Sequence, residues 1–137
     1  MTSEFGVAVH ALVFLAQQRA TASSELLAQN ICTNPARVRK VMGKLKKAGL
    51  LSTKEGVDGG YRLAVPPGEI TLRQVGEAVD AQFVSSRWHS GDTDLPCLVA
   101  SGMAGVMDTL YGQLDDLCKT HLEGITINSV KAMLLHE

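Results

Sequence analysis

Between positions 35 and 48 stand Arg37, Arg39, Lys40, Lys44, Lys46 and Lys47, with no Asp or Glu among them. Ammonium and guanidinium groups in such a run neither exchange protons at neutral pH nor attack an electrophile. Their chemistry is the neutralisation of fixed negative charge, above all of phosphates along a polyanion. Residues 31–62 add Lys54 and Arg62, opposed only by Glu55 and Asp58, while the 137-residue chain as a whole carries −1. A local basic face on an otherwise acidic chain implies a polyanionic partner. A solvated lysine-rich helix would carry the same charge, and only geometry separates the two. The other reactive side chains are sparse: Cys32, Cys97 and Cys118, and His10, His89, His121 and His136. The histidines have no mutual ligand spacing, and His89, eight residues before Cys97 and beside Trp88, reads as a loop residue, so no metal site is expected. No phosphate loop, nucleophile motif or paired acids appear, so the chain is not expected to be an enzyme.

The elements that must carry these residues follow from periodicity and caps. Phe5 to Gln18 reads as a buried helix, with Val7, Ala8, Ala11, Leu12 and Leu15 at helical spacing. Ser23 caps a short second helix, Ser24 to Asn30, and a turn Ile31-Cys32-Thr33 follows. Asn34-Pro35 opens the basic helix, which Gly49 stops after Ala48. Leu50 to Thr53 and Tyr61 to Ala64, joined by a glycine-containing turn, read as a β-hairpin. Thr71 and Gln74 form a capping box for a fourth helix, Leu72 to about Ala81. Residues 83–93 read as loop, a long fifth helix runs from about Asp94 to Leu122, and a last one covers Asn128 to Leu135. The fold expected is mainly α with a small β-hairpin, a winged helix-turn-helix over residues 1–82. Residues 83–137 are the loop, a long dimerisation helix and the C-terminal helix.

On the third helix Val38, Val41, Met42 and Leu45 define an apolar face. Opposite them, at about 100° per residue, lie Ala36, Lys40, Gly43 and Lys47. Arg39 and Lys46 flank one side, Arg37 and Lys44 the other. Small residues on the centre line with cations along both edges suit a duplex major groove, where the backbone must approach closely between two phosphate walls. In the hairpin, Gly56, Gly59 and Gly60 permit a tight turn, and Lys54 and Arg62 supply charge to a wing. The candidate DNA-binding residues are thus Asn34, Ala36, Arg37, Arg39, Lys40, Lys44, Lys47, Lys54, Gly59, Gly60, Tyr61 and Arg62. With aromatics at only 4%, there is no stacking platform for RNA.

The strings VAVHALVFLA, NPARVRKVMGKLKKAGLL and GVDGGYRLAVPPGEITLRQVGEAV resemble the Rrf2 family of bacterial regulators. The likeness is close over about the first 80 residues and architectural beyond them. It implies a homodimer held by the fifth helix and bound to near-palindromic operators, usually as a repressor. It also implies base-facing positions at Ala36, Arg39 and Lys40 and a wing from Lys54 to Tyr61. Two departures stand out. A wing arginine of many members falls here on Glu55, with Lys54 beside it. The iron–sulfur members carry three close cysteines where this chain has only Cys97; a cluster needs about four ligands, so no cofactor is expected.

On the fifth helix Val99, Met103, Val106, Leu110, Leu114 and Leu117 form a stripe suited to a dimer interface, with Gly102 and Gly105 permitting close approach. Packing of the same stripe onto the first helix is the competing use. Cys32, before the basic helix and near Arg37 and Arg39, and Cys97, in the first turn of the fifth helix, are redox-sensing candidates, because positive surroundings favour thiolate. Cys118, beside Asp115 and Asp116, is not. Plain filler is the alternative for all three. The partners expected are a double-stranded DNA operator and a second copy of the chain, with no membrane; no small-molecule effector is identifiable. Glu4 stands where a leader peptide would need positive charge, and the odd, scattered cysteines do not make a secreted framework, so the expected location is cytoplasmic. A winged-helix protein-interaction module without operator binding is the rival reading; the lysine content of the third helix opposes it.

Overall fold

The computed structural model describes residues 3–136. Its elements are α1 Ser3–Gln18, α2 Ser24–Ile31, α3 Pro35–Lys47, β1 Leu51–Lys54, β2 Gly60–Leu63, α4 Leu72–Ala78, α5 Leu98–Leu122 and α6 Ile127–Leu135, with a 3-10 turn at Pro67–Glu69. The mainly helical winged helix-turn-helix expected from the periodicity is present. Side-chain caps set the helix starts: Ser23 accepts from the N–H of Leu26, Asn34 from Arg37, and Thr71 from Gln74 in a reciprocal box.

One core joins these elements. Ala8, Ala11 and Leu12 of α1 meet Leu27 of α2, Val38, Val41, Met42 and Leu45 of α3, and Ile70 and Val75 around α4, all buried. Each fully buried Leu or Val stabilises the fold by roughly 1.5–3 kcal/mol through loss of apolar area from water. The apolar face of α3 is therefore fixed inward, and its opposite face must point out.

The hairpin pairs Leu51 with Leu63, Ser52 with Arg62, Thr53 with Tyr61 and Lys54 with Gly60. A third segment adds to it: Tyr61 and Ala22 exchange backbone hydrogen bonds of 2.8 and 3.0 Å. Gly60 is required for that approach. Its φ is +144°, and a Cβ there would stand 2.5 Å from the carbonyl oxygen of Ala22.

Most boundaries fall within two residues of the sequence expectation, and three features depart further. Helix α4 stops at Ala78 because Asp80 takes a left-handed φ of +54° and the N–H of Ala81 turns back to Gly76. Helix α5 starts at Leu98, since Asp92 holds the N–H groups of Asp94 and Leu95 in a turn that delays it. Cys97 is accordingly the N-cap residue and not part of the first turn. Finally, α6 does not stand with the appendage: Ile127 is wholly buried in the winged body, and its N–H bonds Ile70.

Helix α5 meets that body along α4, and Asp115 is its one buried residue. The Asp115 carboxylate accepts the N–H groups of Phe83 and Val84 at 2.6 and 3.0 Å and pairs with Lys119 at 3.2 Å. Val99, Val106, Leu110, Leu114 and Leu117 are exposed and Met103 is half-buried, so intramolecular packing does not cover the stripe.

Candidate nucleic-acid interface

Two short helices joined through Cys32, Thr33 and Asn34 place α3 across the surface. The turn is possible because Cys32 adopts a left-handed φ of +63° and its N–H closes on Ala28. With the apolar face of α3 buried, Ala36, Arg39, Lys40, Gly43, Lys46 and Lys47 are exposed, while Arg37 and Lys44 are half-buried. A side chain added at Gly43 would meet nothing within 4 Å, so no packing within the chain calls for glycine there. Glycine within a helix costs about 1 kcal/mol relative to alanine. Gly43 thus leaves the middle of the outer face of α3 slim.

The two cationic edges are not alike. On one, Lys44 and Lys40 reach Glu4 of α1 at 2.7 and 3.4 Å, and Arg37 donates to Ser3. The Glu4 carboxyl is held below its ordinary value, first by its hydrogen bond from Lys44 and further by Lys40, against the opposing effect of burial. On the other, Arg39 lies 3.6 Å from Glu25 and bonds Ser24, and Lys46 donates to Thr53 of the hairpin. Lys47 has no ion pair among the described residues. Sequence periodicity found the cations but not their tethers. Glu4 and Glu25 lie far from α3 along the chain, and only packing of α1 and α2 brings them near.

The wing residues fall into two groups. Lys54 and Arg62 are exposed, with Arg62 Nε donating to Ser52 at 3.1 Å. Gly59, Gly60 and Tyr61 instead shape the hairpin, Gly60 and Tyr61 against Ala22; a Cβ on Gly59 would lie 2.3 Å from the Lys54 carbonyl. The side chain of Asn34 is committed to the cap of α3. Glu55, Val57 and Asp58 form an exposed tip, two acids around one valine.

The thiols are separate. Cys97 is exposed, and N–H groups of Ala100 and then Val99 pull its thiol below the ordinary value. Cys32 is exposed at the end of α2, and Cys118 is half-buried. His89 lies 3.4 Å from Asp108 beside Trp88, in a recess of about 240 Å³ reaching Met103 and Tyr111.

A family model described as Rrf2, iron-dependent transcriptional regulator, matches residues 1–132. The Bacillus subtilis protein YwnA, named as an HTH-type transcriptional regulator, is 38% identical over 130 residues, 95% of this chain and 96% of that one. A solved structure of a transcriptional regulator from Lactobacillus plantarum superposes with a TM-score of 0.84 at 25% identity, covering 100% of this chain and 93% of the other. CymR of B. subtilis, described as the global cysteine regulator of that organism, shares the fold with a TM-score of 0.71 at 17% identity, over 97% and 96% of the two chains. The description names iron. Among the described residues no three His, Cys, Asp or Glu side chains gather as ligands, and the three cysteines are free and scattered. Those donors do not fit an iron–sulfur cluster.

Proposed function

The chain belongs to the Rrf2 family of transcriptional regulators, and from that premise we propose that it binds a two-fold symmetric DNA operator as a homodimeric repressor, without an iron–sulfur cluster. The outer face of α3 carries this reading: an exposed ridge of Ala36, Lys40, Gly43 and Lys47, flanked by the exposed Arg39 and Lys46 on one side and the half-buried Arg37 and Lys44 on the other. Such a ridge enters the major groove while the edges meet phosphates, and Arg39 and Lys40 are the side chains placed to read bases. Lys54 and Arg62 reach the neighbouring backbone from the wing. The acidic tip at Glu55 and Asp58 opposes deep contact of the tip itself with phosphates.

Dimerisation is supported by the uncovered α5 stripe and by Gly102 and Gly105, where added side chains would meet nothing within 4 Å. An apolar stripe of that length is stable in water when another surface covers it. Cys97, exposed and acidified at the start of the same helix, is the thiol we assign to redox response, with Cys32 as its candidate disulfide partner. Mild peroxide should then give a crosslink on non-reducing electrophoresis that Cys97→Ser abolishes.

Selection of bound duplexes from random DNA tests the main reading. It should return a near-palindrome. Arg39→Ala and Lys40→Ala should each weaken binding by about 1–3 kcal/mol and relax one position of the site. Enrichment of no sequence, or unchanged affinity and preference in both variants, would contradict it.

A further inference from the structure

Behind the wing, α1, the hairpin and α6 line an open recess of about 720 Å³ in which α3 takes no part. Small-molecule sites commonly span about 300–1,000 Å³. Arg19, Lys54, Arg62 and Lys131 line it, with Asp58 the one acid among its lining residues. None of these four cations has an ion-pair partner among the described residues, whereas on α3 Arg39, Lys40 and Lys44 are answered by Glu4 or Glu25.

Their convergence is built by the fold. Arg19 follows α1 with a left-handed φ of +54°. Lys54 and Arg62 share one face of the hairpin, since Arg62 pairs with Ser52, two residues before Lys54. Lys131 is half-buried in the second turn of α6, and Asn128 brings the first turn of that helix, with its positive end, to the same wall. Four like charges around one hollow repel each other until an anion stands among them.

We propose that this recess binds a small, multiply charged anion of the phosphorylated or polycarboxylate class, a site separate from the α3 face. A recessed hollow walled by three elements fits a compact ligand, whereas a duplex backbone is a long convex surface. Two of its cations, Lys54 and Arg62, are also the wing's contacts in the reading above. An anion held here draws both away from DNA and weakens operator binding. That coupling rests on the operator reading; the site does not. By linkage, DNA weakens the anion by the same factor.

Calorimetric titration of the full chain with inorganic pyrophosphate, and separately with citrate, against chloride at matched ionic strength tests the site. Saturable binding of at least one of them, about one per protomer, should weaken about tenfold or more in Arg19→Gln/Lys131→Gln, two cations removed from a four-cation site. The double variant should keep the parent's melting temperature and its duplex affinity without added anion. Saturable heat from neither probe, or equal binding by the variant, overturns the proposal. So does loss of long-duplex affinity in the variant without anion binding by the parent, which would assign these cations to flanking DNA. If anions bind but no duplex is recognised, the operator reading fails and the site stands.

Discussion

Glu4 sits where electrostatics within the chain and toward DNA pull in opposite directions. Its carboxylate holds Lys44 and Lys40 and so steadies α3 against α1, yet it sets a negative charge beside the face proposed to meet phosphates. Glu4→Gln should therefore strengthen non-specific duplex binding at low salt by about threefold and lower stability by less than about 1 kcal/mol, since one of the two lysines is well exposed. Fluorescence anisotropy with unrelated duplexes and urea unfolding would measure the two effects. Weaker non-specific binding in this variant would mean that positioning of α3 outweighs the removed charge. Because the folded carboxyl of Glu4 is depressed, its contribution to stability is present above the ordinary glutamate value and fades as pH falls through the lowered one. No local pattern around Glu4 announces this role; the residue becomes legible only once α1 and α3 cross.

Among the elements, α5 is tied to the body by one buried polar residue, Asp115. Burial raises the Asp115 carboxyl, but the N–H groups of Val84 and Phe83, with Lys119, more than offset it, and the net shift is downward. A depressed folded value means that stabilisation is complete above the unfolded carboxylate range and is lost as pH falls through the folded one. Hydrogen exchange at the Phe83 and Val84 amides should thus stay slow at neutral pH and rise only in acid, as pH falls through the lowered folded value of Asp115, after correction for intrinsic rates. Asp115→Asn should remove that step and loosen the anchor by roughly 1–3 kcal/mol. An unchanged pH profile would mean that other contacts hold the loop. The apolar faces of α1 and α3 were legible because 3.6-residue periodicity is a local signal, as were the caps at Ser23, Asn34 and Thr71. The late start of α5 and the early end of α4 were not, since each turns on one residue, Asp92 or Asp80, bending the backbone. The tight turn accounts for Gly60 only in part, because the backbone it must clear, at Ala22, belongs to the distant connection between α1 and α2.

For the whole molecule, the basic surface of α3 and wing proposed to meet DNA, the uncovered α5 stripe proposed for a second copy and the basic hollow behind the wing draw largely on different elements, with Lys54 and Arg62 shared by the first and the third. In the proposed dimer the stripe links them in function, because two recognition helices on one duplex multiply their affinities. Leu110→Glu, in the middle of the stripe, should give a monomer in sedimentation velocity and weaken palindromic-operator binding on the order of a hundredfold through lost avidity. A variant that stays dimeric would move the interface elsewhere. The decisive property remains the charged outer face of α3, whose proposed use by DNA would be an electrostatic exchange with counterions. The salt dependence of duplex binding reads that exchange directly. The logarithm of the binding constant should fall linearly with the logarithm of salt concentration, by about 0.9 per phosphate contacted, and Lys47→Ala should reduce the slope by about 1 per protomer. A flat dependence, or a slope that Lys47→Ala leaves untouched together with Arg39→Ala and Lys40→Ala, would contradict the account.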